Sequence, residues 1–257
     1  MSGTRANRAA ADGDPTGARG PFTLVMPCYN EARSLPALVA RAVDCARRRG
    51  LGPDAFRLVP VENGSKDDSR AVLADLARGP DGSWIHPVLI DVNRGYGHGV
   101  MAGLRAAPPG IVGWTHADEQ CDPEDAFRAW EIVRAASRPT LVKGRRHGRA
   151  VSERVVSAGF ASLATLVFAR RLSEINAQPK VFPSDLLDRL DAPPDDFCLD
   201  LYVLVRALDA GYDPVAIDVA FPPRRHGTSN WAATWRSRTR TMAGFVRYML
   251  RLRAGGR

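Results

Sequence analysis

The chain has 257 residues, 45% hydrophobic and 25% charged, with a formal net charge of +8. That length buries a sizeable core in one large or two small domains, which excludes a wholly disordered chain. Four cysteines (28, 45, 121 and 198) without C-x-x-C or zinc-type spacing exclude a disulfide scaffold and read as reduced thiols. No apolar run reaches the ~20 residues of a membrane-spanning helix, and no apolar segment follows the first basic residues, so a soluble cytoplasmic chain is expected.

Residues 1–20, rich in Ala, Gly, Arg and Asp, read as a disordered tail. Strand and helix signals then alternate. Phe22 to Met26 is a short apolar run closed by Pro27, and Leu35 to Arg48 has helical spacing. Phe56 to Val61 reads as a strand, then a Gly-Ser turn and a helix from about Asp68 to Ala77. Pro87 to Val92 reads as a third strand, Val100 to Ala106 as a helix, and Ile111 to Thr115 as a fourth strand. A helix near Glu124 to Ala136 follows, capped by Asp122 ahead of Pro123. Thr140 to Lys143 is a further strand, Val155 to Arg170 a largely buried helix, Phe197 to Ala210 another helix, and Pro214 to Val219 a last strand. Such alternation predicts βα units around a mostly parallel, buried sheet.

In open α/β sheets ligands sit at the carboxyl ends of the strands. Four polar, Gly-punctuated segments follow four successive strands: Pro27 to Glu31, Glu62 to Asp68, Asn93 to Gly99, and His116 to Gln120. The glycines of the third do not make a dinucleotide fingerprint, because that motif belongs after the first strand. In the fourth, alternation puts His116, Asp118 and Gln120 on one side of an extended strand end. Imidazole with carboxylate and amide oxygens suits Mn²⁺, and the oxygens alone suit Mg²⁺.

Nine arginines and no acid lie between Arg224 and Arg257, so the rest of the chain is close to neutral. A global nucleic-acid surface would spread its basic residues over a folded face, and no specific nucleic-acid partner is expected. From Trp231 to Arg253, Arg236, Arg240, Arg247 and Arg251 fall on one helical face, with Trp235, Met242, Phe245 and Met249 opposite. A helix of that kind either lies on anionic lipid or packs its apolar side on the domain.

Together these motifs resemble the inverting family 2 glycosyltransferases of the GT-A fold, and most closely their dolichol- or polyprenyl-phosphate sugar transferase branch. The resemblance runs from about Phe22 to Trp231. It implies a Rossmann-like, three-layer α/β/α architecture in a single domain at 21–230, with a basic amphipathic C-terminal helix and tail at 231–257. Pro27-Cys28-Tyr29-Asn30-Glu31 is similar to the family's P-x-Y-N-E, which implies nucleotide-sugar contacts at Pro27, Tyr29 and Glu31. Glu62-Asn63-Gly64-Ser65 is similar to D-D-G-S, so Glu62 stands where an acid binds the base. Asn93-Arg94-Gly95-Tyr96-Gly97 matches N-x-G-x-G, adding Asn93 and Gly95. His116-Ala117-Asp118-Glu119-Gln120 stands where D-A-D-x-Q belongs, which implies a divalent cation (Mn²⁺ or Mg²⁺) at His116, Asp118 and Gln120, with Ala117 and Asp118 against the nucleotide sugar.

In the second half, Lys143-Gly144-Arg145 resembles G-S-R, and Arg154 with Ser157 resembles the acceptor loop. Asn176 to Phe182 resembles D-x-x-x-G-F-K in altered form, and Asp200 resembles the first acid of F-D-x-E-L, with Tyr202 in the second acid's place. Arg225-His226-Gly227-Thr228-Ser229 matches R-x-x-G-x-S. Phosphate or acceptor contacts are therefore expected at Arg145, Arg154, Ser157, Arg225 and Ser229, and catalytic roles at Arg225 and Asp200. If the acceptor is a lipid phosphate it is already an anion and needs no strong base; if it is a hydroxyl, Asp200 would take the proton. The expected partners are a nucleotide-diphosphate sugar, a polyprenyl-phosphate or other acceptor, and the inner face of the membrane through the basic C-terminus. His116 in place of an acid favours Mn²⁺ over Mg²⁺. A catalytically weakened homologue and a membrane- or nucleic-acid-binding module stay open beside this reading. A sugar nucleotidyltransferase would instead carry a Gly-rich basic loop after the first strand.

Overall fold

The computed structural model describes residues 20–148, 151–222 and 235–255. Its elements in chain order are β1 (Phe22–Cys28), α1 (Leu35–Arg48), β2 (Phe56–Asn63), α2 (Ser69–Arg78), β3 (Val88–Ile90), α3 (Tyr96–Arg105), β4 (Ile111–Trp114) and α4 (Pro123–Ala135). The second half adds β5 (Thr140–His147), α5 (Val151–Phe168), β6 (Lys180–Pro183), α6 (Leu199–Asp209), β7 (Asp213–Ala220) and α7 (Trp235–Gly255).

The strands form one seven-stranded sheet in the order β3-β2-β1-β4-β6-β5-β7. All neighbouring pairs are parallel except the two made by β6, which runs antiparallel to both β4 and β5. Each face has its own core. Leu24, Met26, Phe22 and Phe56 of the sheet meet Leu35, Leu38 and Val39 of α1, Leu73 of α2 and Phe127 of α4. Val25, Val61 and Trp114 meet Val100 and Leu104 of α3, Phe160 and Phe168 of α5, Leu201 and Leu204 of α6, and Phe245 and Met249 of α7. This is the mostly parallel sheet expected from the alternating pattern, in the three-layer α/β/α arrangement that the resemblance implies.

Three local expectations change. The strand β6 was not anticipated, because a four-residue segment with a lysine and a terminal proline carries no strand signal, yet all four residues are buried. The helix α3 starts at Tyr96, inside the glycine-rich segment, because Gly97 and Gly99 are buried where a side chain has no room. The expectation that α5 is largely buried is corrected: Phe160, Ala164 and Phe168 face the core, whereas Val155, Val156 and Leu166 are exposed. Continuous apolar sequence hid a one-sided helix.

The helix α7 packs its apolar side on the domain. Its Phe245 ring lies 4.9 Å from Phe160 of α5 in an edge-on contact, and Met249 is fully buried. What it shows to solvent includes Arg247, Arg251 and Arg253. All four cysteines are free and buried.

Candidate active site

Parallel pairing aligns the ends of β1, β2 and β4 along one edge of the sheet, with Cys28 opposite Glu62 and Val25 opposite Trp114. The loop after β1 is fastened to the loop after β2. Asn30 N donates to Ser65 Oγ (3.0 Å), Glu31 N to Ser69 Oγ (3.0 Å) and Ala32 N to Asp67 Oδ2 (3.1 Å). In return Lys66 N donates to Asn30 Oδ1 at 2.8 Å. The Ser69 hydroxyl and the Ser69 and Ala32 amides, all donating to Asp67, hold its carboxyl below the usual range despite partial burial. Asn30 adopts φ 58°, a left-handed conformation that asparagine tolerates. Pro27, Tyr29 and Glu31 are thereby held half-exposed at the edge, with Ser34 Oγ donating to Glu31 Oε2.

Glu62 is only 1% exposed and both of its oxygens are engaged, one by Ser65 N and the other by Arg70 Nε at 3.0 Å. Arg70 also reaches Asp91 at 3.1 Å and the Ile90 carbonyl, joining the end of β2 to the end of β3. Glu62 therefore shapes its loop from below, with Arg70 as a partner not anticipated from sequence. Eight positions after Glu62, at the second position of α2, Arg70 was readable only once the loop's curvature was known. Asn63 donates to the Gly95 carbonyl at 3.0 Å, while its Oδ1 is buried without a hydrogen bond.

Asn93 closes its own turn by accepting from Gly95 N at 2.8 Å. Gly95 has φ 120°, and a Cβ there would lie 2.3 Å from the Asp195 carbonyl oxygen. A Cβ on Gly97 would lie 2.2 Å from the Pro194 carbonyl oxygen. The glycines thus make room for the protein's own segment 194–196, which His98 N also holds by donating to Asp195 O at 3.1 Å.

At the end of β4, His116 Nδ1 lies 3.7 Å from Asp118 Oδ2, with Asp118 nearly buried and His116 one-quarter exposed. Glu119 takes φ 60°, so the chain reverses sharply after Asp118. Ala117 is buried beneath the turn. Gln120 N donates to Asp118 Oδ1 at 3.2 Å, and its Nε2 donates to the Pro222 carbonyl at 2.9 Å, which ties this loop to the segment after β7. Among the described residues no cluster of three His, Cys, Asp or Glu side chains is arranged to hold a metal. The facing imidazole and carboxylate nevertheless fit a divalent ion that takes its remaining positions from a diphosphate and water. The neighbouring Cys121 thiol is pushed up to about 12 by burial and by the Asp118 charge, so it stays protonated.

Behind this edge lies a buried polar chain. Trp114 Nε1 donates to Tyr96 Oη at 2.8 Å, and Gln178 Nε2 donates to Tyr96 Oη (3.1 Å) and to Asp200 Oδ1 (2.8 Å). The Lys180 ammonium, wholly buried, pairs with Asp200 and also donates to the Ala177 carbonyl at 3.1 Å. The Asp200 carboxylate is 2% exposed and committed to Lys180 and Gln178. Its partner is a lysine of the unanticipated strand β6.

Of the expected phosphate contacts, Arg145 is exposed and donates to Asp218 Oδ1 at 2.5 Å, an oxygen it shares with His147. The Arg145 guanidinium and the His147 ring hold the Asp218 carboxyl well below its usual range. Arg146, the next residue, is the less exposed of the two; it bonds Glu174 at 2.8 Å and stacks on Phe221 at 5.5 Å. Arg154 and Ser157 lie on the first turns of α5, exposed and half-buried. Arg225 and Ser229 lie outside the described residues.

Residues 23–152 match the model of glycosyl transferase family 2. An uncharacterized glycosyltransferase of Mycobacterium tuberculosis is 30% identical over 222 residues, covering 83% of this chain and 91% of that protein. An undecaprenyl-phosphate 4-deoxy-4-formamido-L-arabinose transferase of Sodalis glossinidius is 37% identical over 111 residues, which is 43% of this chain and only 33% of the relative's length. Among solved structures, glucosyl-3-phosphoglycerate synthase from M. tuberculosis, in complex with Mn²⁺, UDP and glucosyl-3-phosphoglycerate, superposes with a TM-score of 0.66 at 18% identity, over 98% of this chain and 87% of that one. The same enzyme with Mg²⁺ and UDP gives 0.65 at 17% identity, over 97% and 85%. With the family model covering half of the sequence, a full-length relative beyond it, and the strand-end loops of a GT-A sheet in place, the chain belongs to glycosyl transferase family 2.

Proposed function

We propose that this glycosyltransferase moves a sugar, with inversion and with the help of a divalent cation, from a nucleoside diphosphate to a polyprenyl phosphate. The observation that carries the reading is the edge formed by β2, β1 and β4. There the interlocked loops 29–34 and 63–69 stand beside His116 and Asp118, the two side chains that would hold the cation. When bound, the cation would neutralise charge on the departing diphosphate. Tyr29 and Glu31 would face the nucleoside, and Glu62 with Arg70 would keep that loop rigid. Arg225 with Ser229 would meet phosphate oxygens.

The surroundings of Asp200 support a phosphate acceptor. A hydroxyl acceptor needs a base open to the cleft, whereas this carboxylate is sequestered by Lys180 and Gln178. A phosphate monoester is already a nucleophilic anion and asks for none. The name of the Sodalis relative supports a polyprenyl phosphate, and the exposed apolar residues Val155, Val156 and Leu166 of α5, next to Arg154, give such a chain a surface to lie along. No helix among the described residues is long and apolar enough to cross a membrane. Contact with an anionic lipid surface would run through Arg247, Arg251 and Arg253, because the apolar side of α7 is spent on the domain.

The test is thermal stabilisation by UDP-, GDP- and dTDP-sugars with and without Mn²⁺, followed by transfer of labelled sugar to undecaprenyl phosphate. One donor should stabilise the protein more with Mn²⁺ than with Mg²⁺, Asp118→Asn should abolish that difference, and the product should extract into organic solvent. Stabilisation by no donor, or equal stabilisation in chelator, overturns the reading.

A further inference from the structure

Tyr96 is the point where the glycine-rich segment, the end of β4 and the start of α6 meet. Its hydroxyl is pinned by Trp114 and Gln178 at 2.8 and 3.1 Å. One side of its ring meets the His116 imidazole edge-on, at 5.9 Å and 89°. Phe197 stacks on it at 5.0 Å and 18°. Phe197 is nevertheless 43% exposed. A lone exposed phenylalanine needs no explanation, but this one is different. It lies nearly flat on a ring that cannot move, one ring removed from His116, and follows Asp195 and Asp196.

Its placement is also enforced. Pro194 and Asp195 press their carbonyls onto Gly97 and Gly95, His98 N donates to Asp195 O, and Arg94 NH2 reaches Asp195 Oδ2 at 3.3 Å. Asp196 Oδ1 accepts from Cys198 N at 2.8 Å, which fixes the first turn of α6 just after Phe197. Glycines that resemble a phosphate cradle therefore seat a loop whose outcome is one aromatic face presented one ring away from His116.

The C–H groups of a pyranose ring carry slight positive charge and pack on the negative face of an aromatic ring, with carboxylates alongside to accept from the hydroxyls. We infer that Phe197 is the specificity-determining residue that stacks on the sugar of the nucleotide-sugar donor. The inference rests on the proposed donor reading and deepens it, since the diphosphate would be held at His116 and Asp118 and the sugar would project past Tyr96. Phe197 is distinct from the residues that fix the nucleotide, and so should act on the sugar alone.

The experiment measures calorimetric affinities in Mn²⁺ for paired ligands, UDP and UDP-glucose, GDP and GDP-mannose, dTDP and dTDP-glucose. Wild type, Phe197→Ala and Phe197→Trp are compared, each checked for an unchanged melting profile. For the pair the wild type prefers, Phe197→Ala should weaken the sugar nucleotide about three- to tenfold and leave the free diphosphate unchanged, while Phe197→Trp should keep both. A Phe197→Ala ratio of the two affinities equal to that of wild type overturns the stacking role. Equal weakening of both ligands overturns it as well, since that would show a general disturbance of the site. A wild-type protein that binds no member of any pair overturns the donor reading itself, a result distinct from the other two.

Discussion

The residue that most constrains the chemistry is Asp200. A buried ion pair contributes little relative to apolar groups of the same shape, but removing one partner strands the other. Asp200→Asn leaves the Lys180 ammonium buried beside a neutral amide, and should cost about 3–5 kcal/mol in chemical denaturation. A double change of Asp200 and Lys180 to leucine and methionine should recover most of that stability. If Asp200→Asn folds as well as wild type, the pair is not holding the second half of the sheet. Glu124 offers a pH-dependent counterpart. The Arg49 guanidinium bonds it at 2.5 Å and holds its carboxyl down to about 2. A lowered carboxyl contributes stability that is complete above its ordinary pKa of about 4.5 and is lost as pH falls toward 2. Glu124→Gln should therefore cost about 1–2 kcal/mol at pH 7 and progressively less as pH falls below about 4.5, approaching nothing only below pH 2, read from urea midpoints.

At the scale of elements, the alternating pattern made α1, α2, α4, α6 and most strands legible, with ends shifted by a few residues, because each buries one face or both in a regular period. The edge loops were legible for the same reason, since they follow strands whose apolar runs end abruptly. What stayed hidden had tertiary causes. Lys180 in β6 is tolerated in a buried strand only because Asp200, twenty residues later, neutralises it. The glycines at 95 and 97 looked like a ligand loop because sequence does not show that residues 194–196 return to cover them. Arg146 could not be told from Arg145 until the strand β5 set Arg145 beside Asp218 and Arg146 against Glu174 and Phe221. Gly97→Ala tests the loop contact directly. Its methyl would overlap the Pro194 carbonyl, so the segment before α6 must lift, with a stability loss of about 1–3 kcal/mol and a large fall in transfer activity. The same substitution at Gly50, where nothing lies within 4 Å, meets no neighbour and should leave activity unchanged, its cost confined to the left-handed φ of 67°.

At the scale of the whole molecule, α7 shows Arg247, Arg251 and Arg253 to solvent while Phe245 and Met249 point in, so attraction to lipid should be electrostatic rather than insertive. Flotation with vesicles containing acidic phospholipid should carry the protein upward at low salt and release it by about 0.5 M NaCl, where the screening length falls to a few ångströms. Retention at high salt would mean that apolar residues such as those of α5 enter the bilayer.

The antiparallel strand β6 has one more effect. It comes late in the chain yet is wedged between β4 and β5, so the polypeptide crosses back over its own midpoint before the sheet is complete. A nick near Gly148 would leave two pieces, each with a raw, unpaired border where the other should lie. Neither piece alone should give a cooperative melt, whereas the two mixed from denaturant should reassemble and regain ligand binding together. The same interlacing means that a chimera joined at that point would inherit mismatched borders, and exchange between relatives would have to carry β5 and β6 as one parcel.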